Sequence, residues 1–157
     1  MEDVLELYAE PDDPQYPVVC FEESPSQLLR DVREPLPATP GHPVRYDDEY
    51  RREGSGHVFL FLEPLQGWRH VKVTDRRTAQ DFAHGLQDLV DRHFPQATVS
   101  SVVWDNLNTH TPAALYATFP PAEASRMLRK LACHDTPPHG SWLNRAEMAF
   151  AVVSTPC

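Results

Sequence analysis

The apolar positions of this chain follow two rhythms. Short β-branched and aromatic blocks, VVCF (18–21), HVFLFLEP (57–64), WRHVKVT (68–74) and TVSSVVW (98–104), have the length and residue types of strands. Phe82, Leu86, Leu89, Val90 and Phe94 instead recur at helical spacing and predict a helix over 78–94, with Thr78 and Asp81 as a capping pair and Pro95 as its stop. The second and third blocks are separated by LQG, so they form a hairpin turning at Gly67, in which Val71 and Val73 share a face. Thr111 followed by Pro112 starts a helix in PAALYATF, and AEASRMLRKL places Glu123 early and Arg129 and Lys130 late, as the helix dipole favours. A short strand over 131–134 comes next. DTPPHG then breaks the chain, and Ser141 is the expected cap of a last helix with Leu143, Ala146, Phe150 and Val153 as its apolar stripe.

Two regions lack either rhythm. Residues 1–17 join a short helical pattern to EPDDPQYP, where Pro11, Pro14 and Pro17 oppose a continuing helix, and they read as a lead-in or linker. Prolines, glycines and charges in REPLPATPGHP and RREGSG make 24–57 a long loop, with at most a weak edge strand near 44–46. The order of elements is therefore strand, hairpin, helix, strand, helices, strand, helix. It predicts an α/β domain over 18–157: a ribonuclease H-like, mixed five-stranded sheet flanked by helices, three antiparallel strands followed by two parallel to the first.

At 157 residues the chain suits one domain with an ordinary core. No apolar run approaches a membrane span and MEDVLELYAE is unlike a signal peptide, so a cytoplasmic protein with no membrane partner is expected. The 3 cysteines, Cys20, Cys133 and Cys157, lack a CxxC spacing and are expected to be reduced; Cys133 with His134 and His139 lacks a fourth zinc ligand. A formal net charge of −9 opposes simple attraction to nucleic acid. A DNA-handling role needs divalent metal to neutralise phosphate locally, or a separate basic domain.

The sheet order supplies a candidate for such a metal site. Its first and fourth strands are parallel neighbours, so VVCF and TVSSVVW end side by side, with Glu22 next to Asp105. On the last helix Asn144 and Glu147 are three apart and share a face, which lets Glu147 point over the same strand ends. Clustered carboxylates raise one another's pKa unless a cation relieves them. Mg²⁺ takes a few carboxylates plus phosphate oxygens, and a pair of ions about 3.5–4 Å apart serves in-line attack on a phosphodiester. For DNLNTH itself a solvated, self-capping loop is the alternative reading, with Asn106, Asn108 and His110 as turn or supporting residues. Arg76 and Arg77 read as a solvated pair, Trp104 as core, and Trp142 as either packing or base stacking.

VWDNLNTHTPAALYATFPPAEASRMLRKL followed by HDTPPHGSWLNRAE resembles the catalytic domain of bacterial insertion-sequence transposases of the IS-six-thirty type, mariner relatives among the DDE endonucleases. VVCFEESPSQLL and RRTAQDFAHGL also resemble segments of it. The resemblance implies a transposase with DNA-cleaving and strand-joining activity in DNA transposition and recombination. It implies magnesium, with Mn²⁺ able to substitute, bound by the catalytic residues Glu22, Asp105 and Glu147. His139, Ser141, Trp142 and Asn144 join Asn106, Asn108 and His110 as supporting residues. The implied partners are double-stranded DNA, both transposon ends and target, and self or an intact transposase as oligomer, with nucleoid association on DNA.

The chain departs from the family pattern at Glu22, where an Asp followed by Glu is usual and Glu22-Glu23 stands instead. Relatives carry helix-turn-helix segments before this region and continue past the last helix, so a C-terminally truncated catalytic fragment is expected. The rival reading is a catalytically disabled transposase remnant, at most an interaction module. A hydrolytic nuclease that cuts without joining is another.

Overall fold

A computed structural model describes residues 1–46, 48–105 and 111–153 of the chain, except for the side chains of Val152 and Val153. Five strands, β1 (Val18–Asp31), β2 (Tyr50–Glu63), β3 (Trp68–Thr74), β4 (Ser100–Trp104) and β5 (Leu131–Asp135), form one sheet in the order β3-β2-β1-β4-β5. β1, β2 and β3 are antiparallel neighbours, while β4 lies parallel to both β1 and β5. This is the expected ribonuclease H-like arrangement.

Alternation along the strands sorts the apolar residues into two cores, one on each face. Val19 and Phe21 of β1, Phe59 and Phe61 of β2, and Val102 and Trp104 of β4 meet α2 (Ala79–Asp88), α3 (Ala113–Thr118) and α4 (Pro121–Leu128). Val18, Cys20, Leu60, Leu62 and Val103 face the other way, against α1 (Glu2–Ala9) and α5 (Arg145–Val153). The larger core is aromatic: Phe21 touches the rings of Phe59, Phe61 and Phe82 at centroid distances of 5.5, 4.9 and 5.2 Å. Residues 1–17 are thus more than connecting chain, since Val4 and Leu7 of α1 are buried members of the smaller core.

Local chemistry explains most of the boundaries. Thr78 and Asp81 form a reciprocal capping box at the start of α2. The helix expected over 78–94 changes pitch near its end, where Leu89–His93 is a π-helical turn closed by Phe94 N–H donating to the Leu89 carbonyl. At the hairpin, the buried Glu63 carboxylate accepts hydrogen bonds from the Leu65 and Gln66 amides at 3.1 and 2.6 Å, and Gly67 takes φ +67°. Val71 and Val73 do share a face, but it is the exposed face of an edge strand.

Two expectations are corrected. The region 24–57 is not one long loop: the outer halves of β1 and β2 pair from Ser24 with Val58 to Asp31 with Tyr50, with an irregularity between Leu28 and Leu29. Their backbone ladder forms an exposed ribbon beyond the helices, so it is held by hydrogen bonds without the apolar alternation by which a strand is recognised. Near its tip, 44–46 contributes only an isolated bridge between Leu36 and Arg45. The second correction concerns Ser141, which begins a short 3-10 turn (Ser141–Leu143) without a side-chain cap. Asn144 caps α5 instead, its Oδ1 accepting from the Ala146 amide at 3.2 Å.

Candidate active site

The parallel pairing of β1 and β4 matches Val18 with Ser101, Val19 with Val102 and Cys20 with Val103. Continued in step, it sets Glu22 level with Asp105. Cys20 and Val103 belong to the smaller core, so the next residues to point that way are Glu22 and Asp105, where the apolar strands run out. α5 packs on the same face through Ala146 and Ala149 and carries Glu147 in its first turn. Glu23, one residue out of phase, ion-pairs with Arg77 at 3.4 Å.

Burial pushes the Glu22 carboxyl up to about 7, and repulsion from Asp105, Glu147 and Glu23 adds to the rise. A hydrogen bond from the Glu23 amide to Glu22 Oε1, at 3.1 Å, opposes it. The other oxygen, Oε2, accepts from Asn144 Nδ2 at 2.9 Å, and the same amide group donates to the Phe21 carbonyl at 2.7 Å. Asn144 is fully buried. One side chain therefore caps α5, ties it to the end of β1 and holds Glu22.

Asp105 has its own support. Thr136 Oγ1 donates to Asp105 Oδ1 at 2.9 Å, and the Thr136 amide donates to the Trp104 carbonyl at 3.0 Å, so the residue after β5 grips the end of β4. Trp104 is core, as expected, with its indole N–H donating to Asp135 at 2.7 Å. Glu147 is exposed at the rim, its amide donating to the Asn144 carbonyl at 3.1 Å.

Of the residues expected to support the site, Asn144 joins the carboxylates. Trp142 is exposed, Ser141 lies in the 3-10 turn, and His139 occupies a positive-φ position (63°) in the preceding turn. Asn106, Asn108 and His110 lie outside the described residues. Of the residues weighed for zinc, His134 is committed to Asp3 of α1, with Nδ1 and Oδ2 at 2.8 Å. Thr136 and Tyr8 are site neighbours that the sequence did not suggest. A hydroxyl residue after a strand is common, and an aromatic in a leading helix has no pattern that aims it at a distant turn.

The donor set suits a hard cation: carboxylates from three elements, one with a raised proton affinity that a divalent ion would relieve. Among the described residues no group of three His, Cys, Asp or Glu side chains is arranged to hold a metal ion. Mg²⁺ requires less than that, since it binds through one or two carboxylates and keeps waters and substrate phosphates for the rest. Glu22 and Asp105, level at the ends of β1 and β4, are the two carboxylates that an open site of this kind would use.

The fold is also that of a solved structure, the Mos1 transposase paired-end complex with left transposon end, at a TM-score of 0.54 and 15% sequence identity. The similarity covers 88% of this chain and 41% of that one, so the chain spans less than half the length of its structural relative. No curated protein matches the sequence. Among the described residues no helix is long and apolar enough to cross a membrane. The sequence pattern of the DDE superfamily endonucleases matches residues 17–157, and the chain belongs to that family.

Proposed function

We propose that this chain is the catalytic core of a DNA transposase of the IS-six-thirty type, with Glu22, Asp105 and Glu147 as the carboxylates that hold Mg²⁺, or Mn²⁺ in its place. The observation that carries the reading is the parallel pairing of β1 with β4, which sets Glu22 level with Asp105 on the face where α5 brings Glu147; burial and those charges also raise the proton affinity of Glu22. A buried acid held beside Asp105 and near Glu147 costs stability, and a bound cation is the chemistry that uses it. Bound there, the metal supplies neutralisation of phosphate charge and Lewis-acid activation for in-line displacement at a phosphodiester.

The chain's own residues do the rest. Asn144 and Thr136 fix the orientations of Glu22 and Asp105, and Glu147 is the third carboxylate, on the exposed rim. Exposed Trp142, at the turn leading to α5, is a stacking surface for DNA. The substrates proposed are transposon ends and target duplex. The chain's own charge of −9 leaves attraction of phosphate to the bound metal and to a DNA-binding segment or partner subunit.

Calorimetric titration with Mn²⁺ tests the site, followed by a strand-cleavage and joining assay on end-sequence duplexes. The parent chain is expected to bind Mn²⁺ and Asp105→Asn is expected to lose it. Equal binding by the two would refute the role of Asp105. Joined products mark a transposase, whereas nicks alone mark a hydrolytic nuclease.

One observation favours a second reading, that of a disabled core which only associates with intact transposase. Glu22 is one methylene longer than the usual Asp, and both its oxygens already accept hydrogen bonds from the protein. Active-site groups tolerate only about 0.5 Å of misplacement. Cleavage by Glu22→Asp and not by the parent would establish this second reading.

A further inference from the structure

We infer that α1, through Tyr8, is a positioning element for the helix that carries Glu147, so that the site is completed by residues ahead of the segment matched to the family. The inference rests on the proposed role of Glu147. The family match begins at residue 17, whereas α1 spans Glu2–Ala9.

Tyr8 grips both neighbours of Asn144. Its hydroxyl donates to the Leu143 carbonyl at 3.0 Å, and the Arg145 guanidinium lies over its ring, 4.3 Å from the centroid. The hydroxyl also lies 3.1 Å from Cys20 Sγ on β1, and with its one proton given to Leu143 it accepts from the thiol. Asn144 between them points the opposite way, to the Phe21 carbonyl and Glu22. Residues 143–145 are therefore held from two sides, by α1 on one and by the end of β1 on the other, and Glu147 follows two residues later.

α1 is itself anchored, so it can act as a brace. Val4 and Leu7 are buried against the core that contains Leu143, Ala146 and Ala149. Asp3 bonds His134 on β5, and beyond the helix Asp12 bonds Gln66 in the hairpin turn. Burial holds the Tyr8 hydroxyl well above the usual phenol range, which keeps it protonated and able to donate. A hydroxyl that donates to the last carbonyl before the cap residue has a direct effect on where the helix begins. A tyrosine serving only to fill the core would need neither the Leu143 bond nor the Arg145 stack.

The test uses Tyr8→Phe, which keeps the ring under Arg145 and in the core while removing the hydroxyl, with Arg145→Met as a second variant that removes the stack from the other side. Thermal melting verifies folding. Two quantities are then read: hydrogen exchange at the Ala146 and Glu147 amides, and Mn²⁺ affinity in the parent and Glu147→Gln backgrounds. Faster exchange is expected in both variants. Mn²⁺ binding should weaken about fivefold in Tyr8→Phe, the size of effect carried by one neutral hydrogen bond, with no further loss once Glu147 is already Gln. Unchanged exchange in both variants overturns the brace. Faster exchange with the same Mn²⁺ loss in both backgrounds overturns its connection to Glu147. If Glu147→Gln binds Mn²⁺ as the parent does, the proposed role of Glu147 fails and the positioning inference fails with it, while exchange still reports separately whether Tyr8 braces α5.

Discussion

Glu22 makes a pH dependence of stability that can be worked from the structure. The metal-free folded chain holds this carboxyl up to about 7, against an ordinary value of 4.5. The native state therefore binds more protons than the unfolded state between these values. By linkage, its stability falls as pH rises from about 4.5 through about 7 and levels off above. The full shift corresponds to an upper bound of about 3 kcal/mol. Solvent reaches the half-buried carboxyl and screens it, which reduces the expected loss to about 1–2 kcal/mol. The perturbation is Glu22→Gln, which keeps the shape and removes the titration. Urea denaturation of both chains with a chelator, from pH 4.5 to 8, isolates Glu22 together with its coupling to Asp105, Glu147 and Glu23, because more distant groups titrate alike in the two. The parent should lose about 1–2 kcal/mol relative to Glu22→Gln across this window, and saturating Mn²⁺ should reverse the slope by favouring the carboxylate. Parallel stability curves without metal would refute the reasoning, because Glu22 would then be solvated as in the unfolded chain.

Two further substitutions probe the supports of the site. Asn144→Ala removes the α5 cap and leaves the buried Phe21 carbonyl without this donor, for a loss of about 2–3 kcal/mol by denaturant melting; a loss under about 0.5 kcal/mol would show that water replaces the amide fully. Gly85→Ala would place a methyl 2.9 Å from Phe61 Cζ, and the packed ring should make this cost about 1–3 kcal/mol despite the better helix propensity of alanine. A stabilised Gly85→Ala chain would mean that the Phe61 ring shifts freely.

The parts of this fold that were legible in the sequence are those where burial writes a pattern. The inner halves of β1 and β2, the α2 face with its capping box, and β4 all carry apolar periodicity, and the order of elements was enough to pair β1 with β4. The outer ribbon was not legible because Ser24–Asp31 and Tyr50–Gly56 form strands while remaining mostly exposed, so backbone pairing selects their conformation and side chains record little of it. The π-helical turn was hidden for the opposite reason: Leu89, Val90 and Phe94 satisfy an α-helical pattern and the change of pitch alters only the hydrogen-bond partner. Strand order and alternation set Glu22 level with Asp105 and placed α5 on the same face. Thr136 and Tyr8 act through bonds spanning 31 and 135 positions, which no local pattern announces.

Another long-range bond, from Asn144 to Glu22 across 122 positions, bears on the length of the acid at position 22. If register alone set the site, a longer acid at this position would carry its carboxylate about one carbon–carbon bond too far. The extra length is instead taken up locally: Oε1 bends back to the next amide, and Oε2 is held by Asn144, the cap of α5. The second of these bonds comes from the side chain that fastens α5 to β1, so Glu22 and the start of the helix that carries Glu147 share one buried amide. A metal competing for Oε2 competes with that amide, whereas an Asp at position 22 has a shorter chain to fold back. A calorimetric Mn²⁺ titration of Glu22→Asp beside the parent compares two ways of holding the same corner together; tighter binding by Glu22→Asp is expected, and equal binding would show that a cation displaces no Asn144 restraint.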